Sequence, residues 1–303
     1  MKNIIITGSS GLVATELICN LLNNGGYKIY AVSTNPDKLK NRYEAKENVM
    51  SLTLNELKIV ANETPFSALV NCAFARNKSG RDIASSLEFL RELIDIVKGT
   101  NLRSFINISS QSVYGQKEKP LWTEETPVDP DYLYAIGKYA SEVIVKSAFS
   151  DTDINVTNIR LASVCENARF LNVFARNAIV GLPIKVMGGS QMCSFIDVRD
   201  VTDALTAVIE KADKIDFAGV YNLGTGKTRT ILELAEDVQR IYKAKYSKDV
   251  VIEREDADIK LEVGMDNTLF CQTFNWQPKL NYDDMISSLI EFNLCGGGVP
   301  CSV

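Results

Sequence analysis

The 303-residue chain contains no histidine, and that zero excludes whole classes of chemistry. Without imidazole there is no Ser-His-Asp triad, no Cys-His dyad, no His-ligated zinc and no histidine proton shuttle. Acid–base work therefore falls to Tyr, Lys, Cys or a carboxylate. Excess positive charge is missing too. The 33 Lys and Arg stand against 38 Asp and Glu, a net charge of −5, which argues against nucleic acid as a partner. The seven cysteines, at 19, 72, 165, 193, 271, 295 and 301, form no C-x-x-C pair. They read as reduced thiols, not a disulfide framework, and no metal site is expected. Long hydrophobic runs are absent as well. Ile4-Ile5-Ile6 is too short for a signal peptide, and no stretch reaches membrane-spanning length. Cys301 falls one position off a prenylation box. The expectation is a cytoplasmic protein with no membrane contact.

What is present is a globular composition, 46% hydrophobic and 23% charged, enough to bury roughly 75% of the unfolded surface. Short apolar runs alternate with longer helical patterns up to about position 160. Strands are predicted at Asn3–Thr7, Lys28–Val32, Ala68–Asn71, Ser104–Ser109 and Asn155–Leu161, with helices at Leu12–Asn23, Arg81–Lys98 and Tyr132–Ala148. Nearly continuous apolar strands separated by helices imply a parallel sheet covered on both faces. Beyond Leu161 the pattern loosens. Helices are expected at Ala168–Val180, Val198–Lys211, Ile231–Tyr242 and Tyr282–Leu294, with short strands at Ile184–Val186 and Val220–Leu223.

The first strand runs into Gly8-Ser9-Ser10-Gly11-Leu12-Val13-Ala14. Gly8 permits the tight turn, Gly11 lets backbone N–H groups approach a pyrophosphate, and Ala14 lets the helix pack close. Strand before and helix after make this a dinucleotide-binding loop of a Rossmann-type, doubly wound α/β fold. Residues 1–161 are then the dinucleotide-binding domain. Residues 162–295 are mainly a smaller, mixed α/β substrate-binding lobe with some segments returning to the first core, and 296–303 a flexible tail. An acidic residue after the second strand would hold the ribose of NAD. Here Ser33-Thr34-Asn35 stand there, with Lys38, Lys40 and Arg42 following, so NADP is preferred and NAD is possible. Gly224-Thr225-Gly226-Lys227-Thr228 ends like a P-loop, but Tyr221 occupies the place of its first glycine.

Tyr134-Ala135-Ile136-Gly137-Lys138 opens a helix, and positions i and i+4 share one face. Lowering a phenol from about 10 to neutral pH takes about 4 kcal/mol, which Lys138 and a cationic ring can supply. Upstream, Ser109-Ser110-Gln111-Ser112-Val113-Tyr114-Gly115 puts hydroxyls at the carboxyl end of a strand, where open α/β sheets bind ligands.

These segments together resemble the extended short-chain dehydrogenase/reductases, the NAD-dependent epimerase/dehydratase family. The likeness spans Gly8–Ala14, Asn71-Cys72-Ala73, Ser109–Gly115, Tyr134–Lys138, Phe195–Val201, Tyr221–Gly226 and Phe274–Pro278. It implies catalysis by Ser110, Tyr134 and Lys138. Ser110 would orient the substrate oxygen, Tyr134 would transfer the proton, and Lys138 would hold the nicotinamide ribose and lower the Tyr134 pKa. The implied cofactor contacts are Gly8, Ser9, Ser10, Gly11, Leu12, Val13, Ser33, Thr34, Asn35, Cys72, Ala73, Phe74, Ile108, Tyr134, Lys138 and Leu161. Those for substrate are Ser110, Gln111, Ser112, Tyr134 and Ser163.

Departures from the family pattern narrow the chemistry. Sugar dehydratases place an Asp-Glu pair where this chain has Gln111 and Ser112, so elimination of water is not expected. The diphosphate-binding arginine before Ser194-Phe195 is Cys193, and Ser163-Val164-Cys165-Glu166 replaces Asn-Val-Tyr-Gly. Arg169, Arg176 or Arg199 is expected to take over phosphate binding. The family's helix asparagine is replaced near Ser85-Ser86, and no adenine-contacting Asp stands around Ser51.

The leading reading is an NAD(P)-dependent oxidoreductase moving hydride between nicotinamide and a secondary alcohol or ketone on a nucleotide sugar, and the resemblance implies a homodimer through Arg81–Lys98 and Tyr132–Ala148. The alternatives are a nucleotide-sugar 4-epimerase holding NAD and a noncatalytic dinucleotide sensor. Trp122 and Trp276 read as packing residues, Glu124-Glu125 as a solvated loop, and Asp197 and Asp200 as helix-start residues.

Overall fold

The computed structural model describes residues 1–43, 46–76, 79–214 and 216–295, with Lys38 described by its backbone alone. The tail at 296–303 lies outside them. Strands β1 (Lys2–Thr7), β2 (Tyr27–Val32), β3 (Val49–Leu52), β4 (Ala68–Asn71), β5 (Ser104–Ser110) and β6 (Asn155–Leu161) join strand Gly219–Leu223 in a seven-stranded sheet. The order across it is Gly219–Leu223, β6, β5, β4, β1, β2, β3, and every pairing is parallel. This is a Rossmann-type doubly wound sheet, with its topological switch point between β1 and β4.

Helices follow the strands: α1 (Leu12–Asn24), α2 (Pro36–Tyr43), α3 (Leu54–Ala61), α4 (Gly80–Val97) and α5 (Leu133–Ala148). Beyond β6 come α6 (Arg169–Val180), α7 (Val198–Lys211), α8 (Ile231–Tyr246), α9 (Thr268–Phe274) and α10 (Tyr282–Leu294). Alternation in β1 shows why the strand is all apolar. Ile4 and Ile6 join the core shared with α1 and α7, while Ile5 joins the opposite core with Leu57 of α3, Leu93 of α4 and Val145 of α5. Both faces are therefore covered. Segments after Leu161 return to this sheet: Gly219–Leu223 pairs with β6, Val201 and Leu205 of α7 pack in the core of α1, and Phe270 and Phe274 of α9 join the same core. A separate apolar cluster unites Leu171 and Phe174 of α6, Leu234 and Val238 of α8, and Met285 and Leu289 of α10. Strands Ile184–Met187 and Ile252–Glu255 pair beside it. No helix among the described residues is long and apolar enough to cross a membrane.

The elements outside the sequence expectation are short, the strand Ile252–Glu255 and several two-residue strands among them. α2 and α3 span only eight residues each, α9 seven, and β3 is a four-residue strand with one buried side chain. α3 nonetheless carries a readable start, because Thr53 and Glu56 form a capping box.

A row of polar side chains crosses the buried sheet at one register. Thr7 Oγ1 donates to Asn71 Oδ1 at 2.7 Å, Asn71 Nδ2 to Asn107 Oδ1 at 3.0 Å, and Asn107 Nδ2 to Asn158 Oδ1 at 2.9 Å. These are directly opposed residues of β1, β4, β5 and β6. Asn107 also donates to Ser141 Oγ of α5 at 3.2 Å, and Ser141 donates to the Lys138 carbonyl at 2.6 Å. Buried amides are tolerated here because each is paired.

Candidate active site

The carboxyl ends of β1, β4, β5 and β6 open into a cavity of about 770 Å³. Its floor is set by the turn after β1. Gly8 has φ +64°, and a Cβ there would lie 2.8 Å from the Ala73 backbone. Gly11 N–H closes the turn on the Gly8 carbonyl at 2.8 Å, and α1 begins at once, so its free N–H groups face the cavity. Only glycine fits the first position, and the resulting cradle suits a pyrophosphate.

Of the expected cofactor residues, Gly8, Gly11, Leu12, Val13, Cys72, Phe74, Ile108, Tyr134, Lys138 and Leu161 line the cavity. Ser9 does not: it is fully buried, and its hydroxyl donates to the Ile6 carbonyl at 2.7 Å. Ser10, Ser33, Thr34, Asn35 and Ala73 are likewise absent from the lining. Ser33 is buried and accepts the Asn35 N–H at 3.1 Å, while Ala73 N–H meets Thr7 Oγ1 at 3.4 Å. Lys40 pairs with Asp37 at 3.2 Å, and Arg42 donates to Thr15 of α1 at 3.0 Å, so both are engaged within the protein. Ser86 of α4 accepts the Ala75 N–H at 3.0 Å.

The expected catalytic and substrate residues, Ser110, Gln111, Ser112, Tyr134, Lys138 and Ser163, share this cavity. Lys138 donates from Nζ to the Ile108 carbonyl at 2.7 Å and lies 4.3 Å from the Phe74 ring centre. Burial lowers its pKa to about 8, against the raising pull of Cys72 and Glu142. Gly137, one residue earlier, leaves room for Phe74: a Cβ there would meet Ile83 Cγ2 at 2.6 Å and Phe74 Cζ at 3.0 Å. Ser110 Oγ accepts from Ser112 N–H at 3.2 Å and Ser112 Oγ at 3.0 Å. Its own hydrogen is left for the Tyr134 side.

Tyr134 departs from the sequence expectation. Burial raises its pKa, and the groups that pull it down are Arg76 and Ser110, not Lys138. Arg76 lines the cavity with Asp131 and Tyr132, and sequence reasoning missed all three. They stand on loops beside β4 and α5, where no periodicity marks them. Of the three arginines expected to bind phosphate, Arg169 lines the cavity. Arg176 instead donates to Asn293 at 2.8 Å, and Arg199 grips Asp197 through 2.8 and 2.7 Å bonds.

Beneath the site, Glu142 takes a bidentate contact from Arg160 at 3.1 and 2.9 Å and the hydroxyl of Ser109. The Arg160 guanidinium lies 4.8 Å from the Tyr114 ring centre, and Tyr114 donates to Asn222 at 2.7 Å. Glu124, expected in a solvated loop, accepts the Asn222 N–H at 2.7 Å, and burial raises its pKa. Glu166 is likewise held up by burial and by Asp197. Asp197 caps α7 and Asp200 takes the Lys279 and Leu280 N–H groups, as helix-start and loop-holding roles require. Trp122 and Trp276 are both buried.

Residues 4–224 match the model of the NAD dependent epimerase/dehydratase family. The chain belongs to that family. Among its curated relatives is a trifunctional UDP-glucose 4,6-dehydratase, UDP-4-keto-6-deoxy-D-glucose 3,5-epimerase and UDP-4-keto-L-rhamnose-reductase of Arabidopsis thaliana. It is 24% identical over an alignment covering 96% of this chain and 47% of the relative. The chain thus spans about half the length of that trifunctional protein. The dTDP-D-glucose 4,6-dehydratase of Bos taurus is 22% identical, covering 96% of this chain and 88% of its own. Among solved structures, a UDP-N-acetylglucosamine 4-epimerase from Methanobrevibacter ruminantium M1 superposes with a TM-score of 0.81 at 20% identity, covering 97% and 99% of the two chains. That likeness establishes the epimerase/dehydratase family's fold for this chain.

Proposed function

We propose that this chain is an NAD(P)-dependent oxidoreductase acting on a secondary alcohol or ketone of a nucleotide-activated sugar, in the manner of a keto-sugar reductase. The observation that carries the reading is the convergence of Ser110, Tyr134 and Lys138 with the Gly8–Gly11 turn on one cavity. Relatives named as reductases, dehydratases and epimerases of UDP- and dTDP-sugars support it.

When bound, the nicotinamide group supplies or accepts the hydride. The chain's own residues do the rest. The Gly8 turn and the start of α1 hold the pyrophosphate, and Lys138 holds the ribose. Ser110 orients the substrate oxygen, and Tyr134, held protonated by burial, gives its phenolic proton to that oxygen as charge develops on it. Gln111 and Ser112 carry no carboxylate, which disfavours elimination. Neutral Ser33, Thr34 and Asn35 favour NADP over NAD. The exposed apolar face of α5, with Leu133, Ile136 and Val143, supports a homodimer, and sedimentation velocity at micromolar concentration checks it. Scattered thiols fit the cytoplasm.

Tyr134→Phe is expected to lower kcat by roughly 10²- to 10⁴-fold while cofactor binding, followed by fluorescence titration, stays near wild type. Unchanged turnover would overturn the assignment. A tightly retained NAD in the purified protein would turn the reading toward a 4-epimerase, whereas saturable exchange with added NADPH keeps the reductase.

A further inference from the structure

The three residues of β5 that precede Ser110 are each tied to α5. Asn107 donates to Ser141, the Ile108 carbonyl takes the Lys138 ammonium, and Ser109 donates its hydroxyl to Glu142. Tyr134, Lys138 and Glu142 recur at every fourth residue, so they lie in one stripe along the helix. Glu142 ends that stripe with a side chain 5% exposed, and the Arg160 side chain that grips it is equally buried.

Lys138 needs a negative charge within reach. It is 5% exposed itself, and its direct contacts, the Ile108 carbonyl and the Phe74 ring, carry no net charge. A buried ammonium with no anion nearby gives up its proton. The charged or ionisable groups that act on Lys138 are Cys72, at the end of β4, and Glu142; Arg160 of β6 is not among them. Burial pushes the Cys72 thiol up to about 12 and raises Tyr134, so neither is an anion at neutral pH. That leaves the Glu142 carboxylate. Its two oxygens are held by Arg160 at 3.1 and 2.9 Å, which fixes the charge one helical turn from Lys138.

We propose that Glu142 is a positioning residue whose carboxylate, anchored by Arg160 and Ser109, keeps Lys138 an ammonium where it meets the cofactor. This deepens the reading under Proposed function and rests on it, since Lys138 is there the holder of the ribose. The buried ion pair then serves the site as well as the fold.

The test is fluorescence titration of the full chain with NADPH from pH 6.5 to 10, in wild type and in Glu142→Gln/Arg160→Met. Removing both charges together strands no arginine, and the glutamine still accepts the Ser109 hydroxyl. Wild-type affinity is expected to fall severalfold on the alkaline side, because a charged donor binds more strongly than a neutral amine. In the double variant that fall should begin roughly one pH unit lower. In Lys138→Met it should vanish, which assigns it to Lys138. A merely structural pair would weaken binding equally at every pH and leave the fall where it is; that result, or a fall that persists in Lys138→Met, overturns the proposal. Denaturant unfolding over the same range needs no cofactor. Stability should start to rise with pH roughly one unit earlier in the double variant than in wild type, and coincident onsets overturn the proposal. If wild type binds neither NADPH nor NADH, the functional reading falls, and the unfolding series alone decides whether Glu142 holds the charge on Lys138.

Discussion

At the scale of single residues, Lys138 and Tyr134 are both set by burial, in opposite senses. The ammonium is costly to bury and its pKa drops from 10.5 to about 8; the phenol is pushed up. For Lys138 the sign of the stability effect follows directly. Between about pH 8 and pH 10.5 the unfolded chain holds the lysine proton and the folded chain has released it, so folding stability rises with pH across that window. Below pH 8 the full cost of the buried charge is present. Lys138→Met should remove about 3 kcal/mol of this slope, measured by denaturant unfolding at pH 7, 9 and 10.5. Parallel wild-type and variant curves would refute it. The Tyr134–Lys138 spacing was legible because one helical turn separates the pair. The burial of Tyr134 and its neighbour Arg76 were not, because a loop from after β4 brings Arg76 in and no periodic pattern encodes that approach.

At the scale of elements, the legible segments were those with long apolar faces. α7 and α10 lie where the periodicity puts them, and β4 and β6 match residue for residue. α2 was hidden because half of Pro36–Tyr43 is charged and the segment keeps Leu39 and Tyr43 as its buried residues. The junction of α4 and α5 shows what packing adds to pattern. Gly137 sits against Ile83 and Phe74, so the helices approach closely and Phe74 is pressed toward the Lys138 ammonium. Gly137→Ala should cost on the order of 1–3 kcal/mol by overpacking and should weaken cofactor binding through Phe74. Melting curves and a cofactor titration check both, and an unaltered affinity would separate Phe74 from the cofactor site.

At the scale of the whole molecule, the cavity draws its walls from the core of the large sheet, through Ile108, Leu161 and Val164, and from the second cluster, through Ala168, Cys193 and Phe195. A cofactor that binds there stabilises the folded chain by mass action, and at a hundredfold excess over Kd the gain is about 2.7 kcal/mol. A rise in melting temperature with NADP that exceeds the rise with NAD is the expected result, and the reverse order would overturn the NADP preference. Glu142→Gln, which leaves Arg160 as an uncompensated buried charge, should cost about 3–5 kcal/mol and lower the melting temperature of the entire sheet domain. The polar row from Thr7 to Asn158 has one more property. Each member gives its hydrogen to the next in the same sense, so the row has an arrow, running from the strand that ends in the glycine turn to the strand that carries Arg160. An aspartate at position 71 or 107 would break that arrow by setting oxygen against oxygen in the interior. The cofactor edge and the catalytic edge of the sheet are in this respect one polarised wire, and neither amide can be turned without turning its neighbours.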